Sequence, residues 1–227
     1  TLSNTYTVEP VQDAEREVSL RRNGDVQYLA LGYHTPSTAD ADYVANNVLL
    51  EILTNDPAGI LYKKMLDGKL ATKVFGYSLT LHDPGFTYIQ CEIPKDRNLD
   101  SAKRVLIQTM DGIGNMNITQ ADLDNARNSR MKFFSNTSNN TIDLSIVLTE
   151  LIGAGDWRLW FWSRDQLEKL SLQQVKEAAK KYYKPSNRTV AYFIPEAKSD
   201  RTRVAETPDI AFFFSSRRRH TRFDCDW

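Results

Sequence analysis

The stretch GDWRLWFWSRDQLEKLSLQQVKEAAKKYYKPSNRTVAYFIP, residues 155–195, decides the fold, because it predicts two helices and a strand in direct succession. Ser171 and Gln174 stand at the spacing of a reciprocal helix cap, and apolar residues then recur on one helix face. Pro185 ends this helix, and residues 189–194 are mostly β-branched or aromatic, as is typical of a strand. A helix with one apolar face needs another layer to cover it. The stretch therefore predicts helices that pack on a sheet.

Two pairs of strands are predicted upstream of this stretch. Residues 15–22 and 27–33 alternate apolar and polar side chains around Asn23-Gly24, so they predict a β-hairpin whose first strand is half-buried. Residues 71–81 and 86–93 predict a second hairpin. Adjacent strand pairs with segregated helices are typical of an α+β fold. We therefore expect a two-layer sandwich, in which a mostly antiparallel sheet carries its helices on one face.

Composition and charge exclude several classes of partner. The 227 residues carry 29 basic and 29 acidic side chains, so the net charge gives no argument for binding nucleic acid. No apolar run reaches the length of a membrane-spanning helix. Two cysteines, Cys91 and Cys225, are too few for a disulfide framework. We expect neither nucleic-acid binding nor membrane insertion.

The two ends of the chain differ from the region between them. Residues 1–14 predict a linker from an upstream domain, residues 15–203 predict one domain, and residues 204–211 predict a second linker. Residues 212–227, FFFSSRRRHTRFDCDW, share no periodicity with the rest. A solvated basic tail and an anion-binding patch are alternatives, but the string resembles translated sequencing-adapter sequence. We therefore interpret it as a non-native tail that does not belong to the fold.

No catalytic or metal-binding motif is present. A zinc site on one helix needs histidines about a turn apart, whereas His34, His82 and His220 lie far from one another. Cys91 and His82 would have to meet to act as nucleophile and base, but Cys91 is predicted to point into the core from a strand and His82 to lie in a hairpin loop. The aromatic group at residues 157–162 is either a peptide-binding platform or a packing cluster, and its helical spacing favours packing.

Three segments resemble bacterial zinc peptidases of the insulinase/pitrilysin family. They are TYTVEPVQDAEREVSLRRNGDVQYLALGYHTPS (residues 5–37), AGILYKKMLDGKLATKVFGYSLTLHDPGF (residues 58–86) and the stretch 155–195, whose end KYYKPSNRTVAYFIP is similar to a phrase that closes a domain in that family. The resemblance implies a zinc domain with a His-x-x-Glu-His motif and a similarly shaped domain without it. Because this chain lacks the motif, it resembles the metal-free partner domain that follows the catalytic domain.

The resemblance also implies a role. The chain would be the noncatalytic domain of a zinc-dependent metalloendopeptidase, walling the chamber that holds the peptide and supporting the zinc domain. The zinc would lie in the catalytic domain of the parent chain, which together with peptide substrates would be the partner, in the periplasm or cell envelope. The chain alone would be inactive. The alternative is a stand-alone scaffold or peptide-binding subunit that partners a separate catalytic chain.

One part of the family pattern is altered. Many members carry an Arg and, a few residues on, a Tyr that help to hold the substrate near the zinc. In the equivalent phrase MLDGKLAT, residues 65–72, Leu66 stands in place of the Arg and Thr72 in place of the Tyr. Lys69 and Lys73 are therefore the candidate substrate contacts.

Overall fold

A single five-stranded sheet organises the computed structural model of the protein, which describes residues 10–197. The strands lie in the order β1-β5-β2-β4-β3, and all neighbours are antiparallel except β1 and β5, which are parallel. Their bounds are β1 Arg16–Arg22, β2 Gln27–Thr35, β3 Lys73–Ser78, β4 Gly85–Ile93 and β5 Arg188–Pro195.

Seven α-helices accompany the sheet in the described part of the chain. Their bounds are α1 Asp42–Thr54, α2 Ile60–Tyr62, α3 Leu99–Asp111, α4 Gln120–Ser138, α5 Thr141–Gly153, α6 Leu159–Lys169 and α7 Leu172–Tyr182. The short helix α2 continues into a π-helical turn, Lys63–Asp67. None of these helices is long and apolar enough to cross a membrane.

The helix starts follow from local side-chain chemistry. At α4, the Thr119 hydroxyl accepts from the Asp122 amide and the Asp122 carboxylate accepts from the Thr119 amide, at 3.2 and 2.9 Å. Ser171 and Gln174 make the same reciprocal pair at α7. Each box satisfies two backbone donors that the helix cannot satisfy itself. The capping box predicted at Ser171 and Gln174 is confirmed.

The core lies between one face of the sheet and the helices. Leu31 of β2 and Ile89 of β4 are fully buried, as are Val48 and Leu49 of α1. Helix α1 packs against β3 on one side and against α4, α6 and α7 on the others. Burial of such side chains stabilises the fold by about 1.5–3 kcal/mol each. The predicted α+β sandwich with helices on one face of a mostly antiparallel sheet is confirmed.

The predicted hairpin between the first two strands is wrong. Strand β5 lies between β1 and β2, pairing in parallel with β1 and antiparallel with β2. The connection after β1 passes close to β5, where a Cβ on Gly24 would lie 2.9 Å from the Phe193 ring. Glycine is therefore needed here because two segments approach closely, rather than because the chain makes a tight turn. Strand β1 is also exposed rather than half-buried, since Val18 and Leu20 are 56% and 43% exposed.

The predicted domain limits stay predictions. Residues 10–14 have no regular secondary structure, as a linker would, yet Gln12 is buried and donates to the Arg188 carbonyl oxygen at 2.8 Å. The predicted second linker at 204–211 and the tail at 212–227, which includes His220 and Cys225, lie outside the described residues.

Candidate functional site

One face of the sheet is not covered by any helix in the described part of the chain. Along β4, Thr87, Ile89 and Cys91 point into the core, whereas the alternate residues Phe86 and Tyr88 point away from it. The same alternation on the other strands brings six aromatic side chains together. We call this set the aromatic face, and it consists of Tyr28, Phe75, Tyr77, Phe86, Tyr88 and Phe193.

Four rings of the aromatic face contact one another, whereas Tyr28 and Phe193 form a separate edge-to-face pair at 5.9 Å. The Tyr88 ring centroid lies 6.0 Å from those of Phe75 and Tyr77, which in turn stack on each other at 6.4 Å. Phe75 and Tyr77 are 43% and 45% exposed. Proteins rarely expose contiguous apolar patches, and aromatic residues are enriched where protein surfaces meet. The aromatic face therefore has the chemistry of a binding surface.

The two predicted substrate contacts occupy different places. Lys73 lies on β3 opposite Glu92, and both line a depression of about 240 Å³ on the aromatic face together with Phe75. Lys69 is exposed in the turn before β3, where its backbone φ is 54°. The structure thus brings Lys73 to the aromatic face and leaves Lys69 ahead of the strand. Contact of either lysine with a substrate stays a prediction.

The positions that replace the family's Arg and Tyr have structural partners. Leu66 is half-buried and packs against the core. Thr72 lies on the surface, where its amide donates to the Glu92 carbonyl oxygen at 2.8 Å. Neither side chain presents a cation or a phenol to solvent.

A nucleophile built on Cys91 is excluded by burial. Cys91 is fully buried, and burial raises the pKa of its thiol to about 12, so the reactive thiolate does not form near neutral pH. His82 lies exposed in the β3–β4 loop, where its Nδ1 is 3.1 Å from an oxygen of Asp83. Within residues 10–197, no group of three His, Cys, Asp or Glu side chains is placed to hold a metal ion. The described residues therefore do not fit a zinc site.

The tryptophan-rich segment divides into a packed and an exposed part. Trp160 is buried and stacks on Phe134 with centroids 4.3 Å apart, as the packing interpretation predicts. Trp157 and Phe161 remain 48% and 41% exposed and contact each other edge to face.

Helix α5 exposes apolar side chains that the sequence reasoning did not single out. Ile142, Ile146 and Ile152 are 70%, 53% and 61% exposed. The sequence of α5 indicates this exposure, because isoleucine, leucine and valine occupy more of the helix circumference than a single core-facing stripe requires.

Comparison with known proteins agrees with this architecture. The sequence profile of the family described as the peptidase M16 inactive domain matches residues 3–130, more than half of the chain. Zinc protease PqqE of Helicobacter pylori is 25% identical over 194 residues, which cover 84% of this chain and 43% of that protein. The chain thus spans less than half the length of this relative.

Solved structures show the same relationship. The inactive peptidase domain of a zinc-protease homologue from Bordetella parapertussis matches with a TM-score of 0.72 at 30% identity, covering 82% of this chain and 99% of that one. A protease from Helicobacter pylori has the same fold, with a TM-score of 0.79 at 20% identity over 86% of this chain and 47% of that one. The resemblance to the metal-free domain of insulinase/pitrilysin-type zinc peptidases is confirmed: the chain belongs to the peptidase M16 inactive-domain family.

Proposed function

We propose that this chain is the noncatalytic domain of a zinc-dependent metalloendopeptidase, in which it walls the peptide-binding chamber and supports the zinc-bearing domain. The observation that carries the proposal is the aromatic face, with Phe75, Tyr77 and Phe86 each more than 40% exposed. An exposed aromatic surface of this kind gains free energy when a partner removes it from water.

The zinc-bearing domain of the same parent chain is the proposed occupant of the aromatic face. The matched zinc protease has more than half of its length beyond the part that this chain covers, which leaves room for a further domain. Zinc would be held there, because the described residues of this chain offer no set of ligands. The contribution of this chain to hydrolysis would then be noncovalent: it would hold the zinc domain and position the peptide.

Lys69 and Lys73 are the proposed contacts to the peptide. Strand β3 forms the edge of the sheet, so both lysines lie where a chain bound beside the sheet would pass. An ammonium group on a flexible stem suits the carbonyl and carboxylate oxygens of many different peptides.

The intact gene tests the parent relationship directly. We expect the nucleotide sequence upstream of Thr1 to encode a His-x-x-Glu-His helix in the same reading frame. A start codon and signal peptide immediately before Thr1 would instead make the chain a stand-alone noncatalytic subunit, and the proposed parent enzyme would be withdrawn.

Binding of the zinc domain tests the aromatic face. With the zinc domain produced from that gene, isothermal titration calorimetry should show binding to this chain. The double variant F75S/Y88S should weaken binding by about 30-fold or more, since two interface aromatics at about 1 kcal/mol each contribute about 2 kcal/mol together. Phe161→Ser is the matched control, because Phe161 is 41% exposed on α6, outside the aromatic face. Equal binding by all three proteins would refute the proposed docking surface.

A further inference from the structure

A cavity of about 300 Å³ lies between α1, the end of β3 and the helices α4, α5 and α6. Its volume is at the lower end of the range for ligand pockets, about 300–1,000 Å³. Side chains with polar and aromatic groups converge on it, and these include Tyr43, Glu51, Arg130, Phe133, Glu150 and Trp160. It opens on the helix side of the sheet, to which its strand residues Gly76 and Ser78 point, and it borders the aromatic face only at Tyr77.

Arg130 distinguishes this cavity from an ordinary packing defect. Its side chain lines the cavity and is half-buried, and no hydrogen bond or ion pair joins it to another residue of the described region. Arg127, one turn earlier on α4, has its guanidinium satisfied by Asp124 and by the carbonyl oxygens of Leu167 and Leu170. A guanidinium that is partly removed from water without a partner is costly, so Arg130 is poised for an anion from outside the chain.

The other charges around the cavity fix the polarity of the site. The Glu51 carboxylate already accepts hydrogen bonds from Asn55 and Ser129, both at 2.6 Å. Glu150 is exposed to solvent, whereas Glu51 and Arg130 are both half-buried. Of these three charges, the Arg130 guanidinium is the one cation, and it lies beside two carboxylates. This arrangement admits one carboxylate and disfavours a ligand with several negative charges.

The aromatic walls of the cavity indicate which kind of group lies next to the carboxylate in the ligand. Phe133 is 55% exposed and lies edge to face with Trp160 at 6.3 Å, which gives an apolar wall beside Arg130. The planar guanidinium fork matches a carboxylate in two parallel hydrogen bonds. Carboxylate and apolar body occur together in peptides, either at the C-terminal residue or where an acidic side chain precedes an apolar one. The cavity also borders β3, the strand that carries Lys73.

We propose that this cavity binds the carboxylate of a peptide, with Arg130 as the anchor and the neighbouring apolar side chain against Phe133 and Trp160. The proposal rests on the proposed peptide-facing role of the chain and names the chemical group that is recognised.

Fluorescence anisotropy with three labelled peptides tests the cavity on the full chain. The probes are Ala-Ala-Phe with a free C-terminal carboxylate, the same peptide as its C-terminal amide, and Ala-Glu-Phe as the amide. We expect the free acid or the glutamate peptide to bind and the uncharged amide not to bind. Binding of the free acid identifies the chain terminus as the source of the carboxylate, and binding of the glutamate peptide identifies a side chain.

Variants of Arg130 complete the test. Arg130→Gln should weaken carboxylate binding by about tenfold or more, as loss of a charge-assisted pair predicts, and Arg130→Lys should weaken it less. Arg104→Gln removes an exposed charge from α3 and should leave binding unchanged. Urea unfolding of each variant shows that the fold is retained. If neither carboxylate peptide binds, or if Arg130→Gln binds as the wild type does, the proposal is wrong. Docking of the zinc domain is measured without peptide, so failure of one proposal is distinguishable from failure of the other.

Discussion

Arg188, the first residue of β5, fixes the point where the chain enters the domain. Its side chain is only 4% exposed and forms ion pairs with Glu15, next to β1, and with Asp111 at the end of α3. The Asp111 oxygen accepts from the guanidinium at 2.7 Å. Because Glu15 and Asp111 come from different parts of the chain, one buried cation holds the entering segment, α3 and β5 together.

Replacement of Arg188 by alanine should destabilise the protein strongly. Breaking a buried ion pair from one side costs about 3–5 kcal/mol, and we expect about 3 kcal/mol because the Glu15 and Asp111 side chains are 35% and 45% exposed. The difference in unfolding free energy is measured by urea denaturation. Arg104→Ala, which removes an exposed arginine of α3, should change stability by less than about 0.5 kcal/mol. A similar loss for both variants would contradict a special role of Arg188.

Single residues differ in how far the sequence predicts their roles. Cys91 alternates with polar residues in a strand-like run, so its buried position was predictable, and the structure confirms it. Arg130 and Arg188 could not be separated from the other basic residues by pattern. What distinguishes them is the presence or absence of partners that lie far away in sequence, and only folding brings those partners together.

Elements that depend on neighbouring residues are the ones that sequence predicts well. The capping boxes of α4 and α7 each lie within four consecutive residues, and the box predicted at Ser171 and Gln174 forms as expected. The hairpin predicted around Asn23-Gly24 fails because the correct partner of β1 is β5, near the far end of the described chain. A local turn signal carries no information about a strand that inserts between its two arms.

The contact between α1 and α7 should make stability depend on pH at the acid end. The Lys181 ammonium hydrogen-bonds an oxygen of Asp42 at 2.5 Å, and the Tyr182 hydroxyl donates to the same oxygen at 2.8 Å. Hydrogen bonding to Lys181, with a smaller contribution from Tyr182, holds the pKa of Asp42 below its ordinary value, although burial opposes this. A carboxylate with a lowered pKa in the folded state contributes stability above its unfolded pKa and loses it as pH falls through the folded value.

We therefore expect Asp42→Asn to reduce the unfolding free energy by about 0.5–1 kcal/mol at neutral pH, the range for a partly exposed pair. The difference from the wild type should stay constant down to about pH 4 and shrink below it, since the asparagine does not titrate. Urea denaturation at a series of pH values measures this difference, and Lys181→Met should give the same curve. A difference that persists unchanged at pH 2 would show that Asp42 acts by some means other than its charge.

At the scale of the whole molecule, the fold class followed from the sequence but the uncovered surface did not. Alternation in β4 separates inward from outward residues without saying whether a second layer covers the outward ones. The aromatic character of Phe75, Tyr77 and Tyr88 was equally compatible with a buried second face. The structure decides this point for the described residues: Phe75 and Tyr77 are 43% and 45% exposed, and Tyr88 beside them is half-buried.

A partner that binds only the folded chain must stabilise it. Free energy of binding adds to the unfolding free energy as RT ln(1 + [L]/Kd), so the proposed partner, the zinc-bearing domain, at 100 times its Kd should stabilise this chain by about 2.7 kcal/mol. Hydrogen exchange followed by mass spectrometry follows the two proteins separately. In this chain, the amides of β3 and β4 should be protected from exchange when the zinc-bearing domain is bound. The F75S/Y88S variant should fold alone yet gain no such protection, because Phe75 is 43% exposed and Tyr88 is half-buried among rings of the same face, so neither belongs to the buried core. Equal protection of variant and wild type would place the docking surface elsewhere on the molecule.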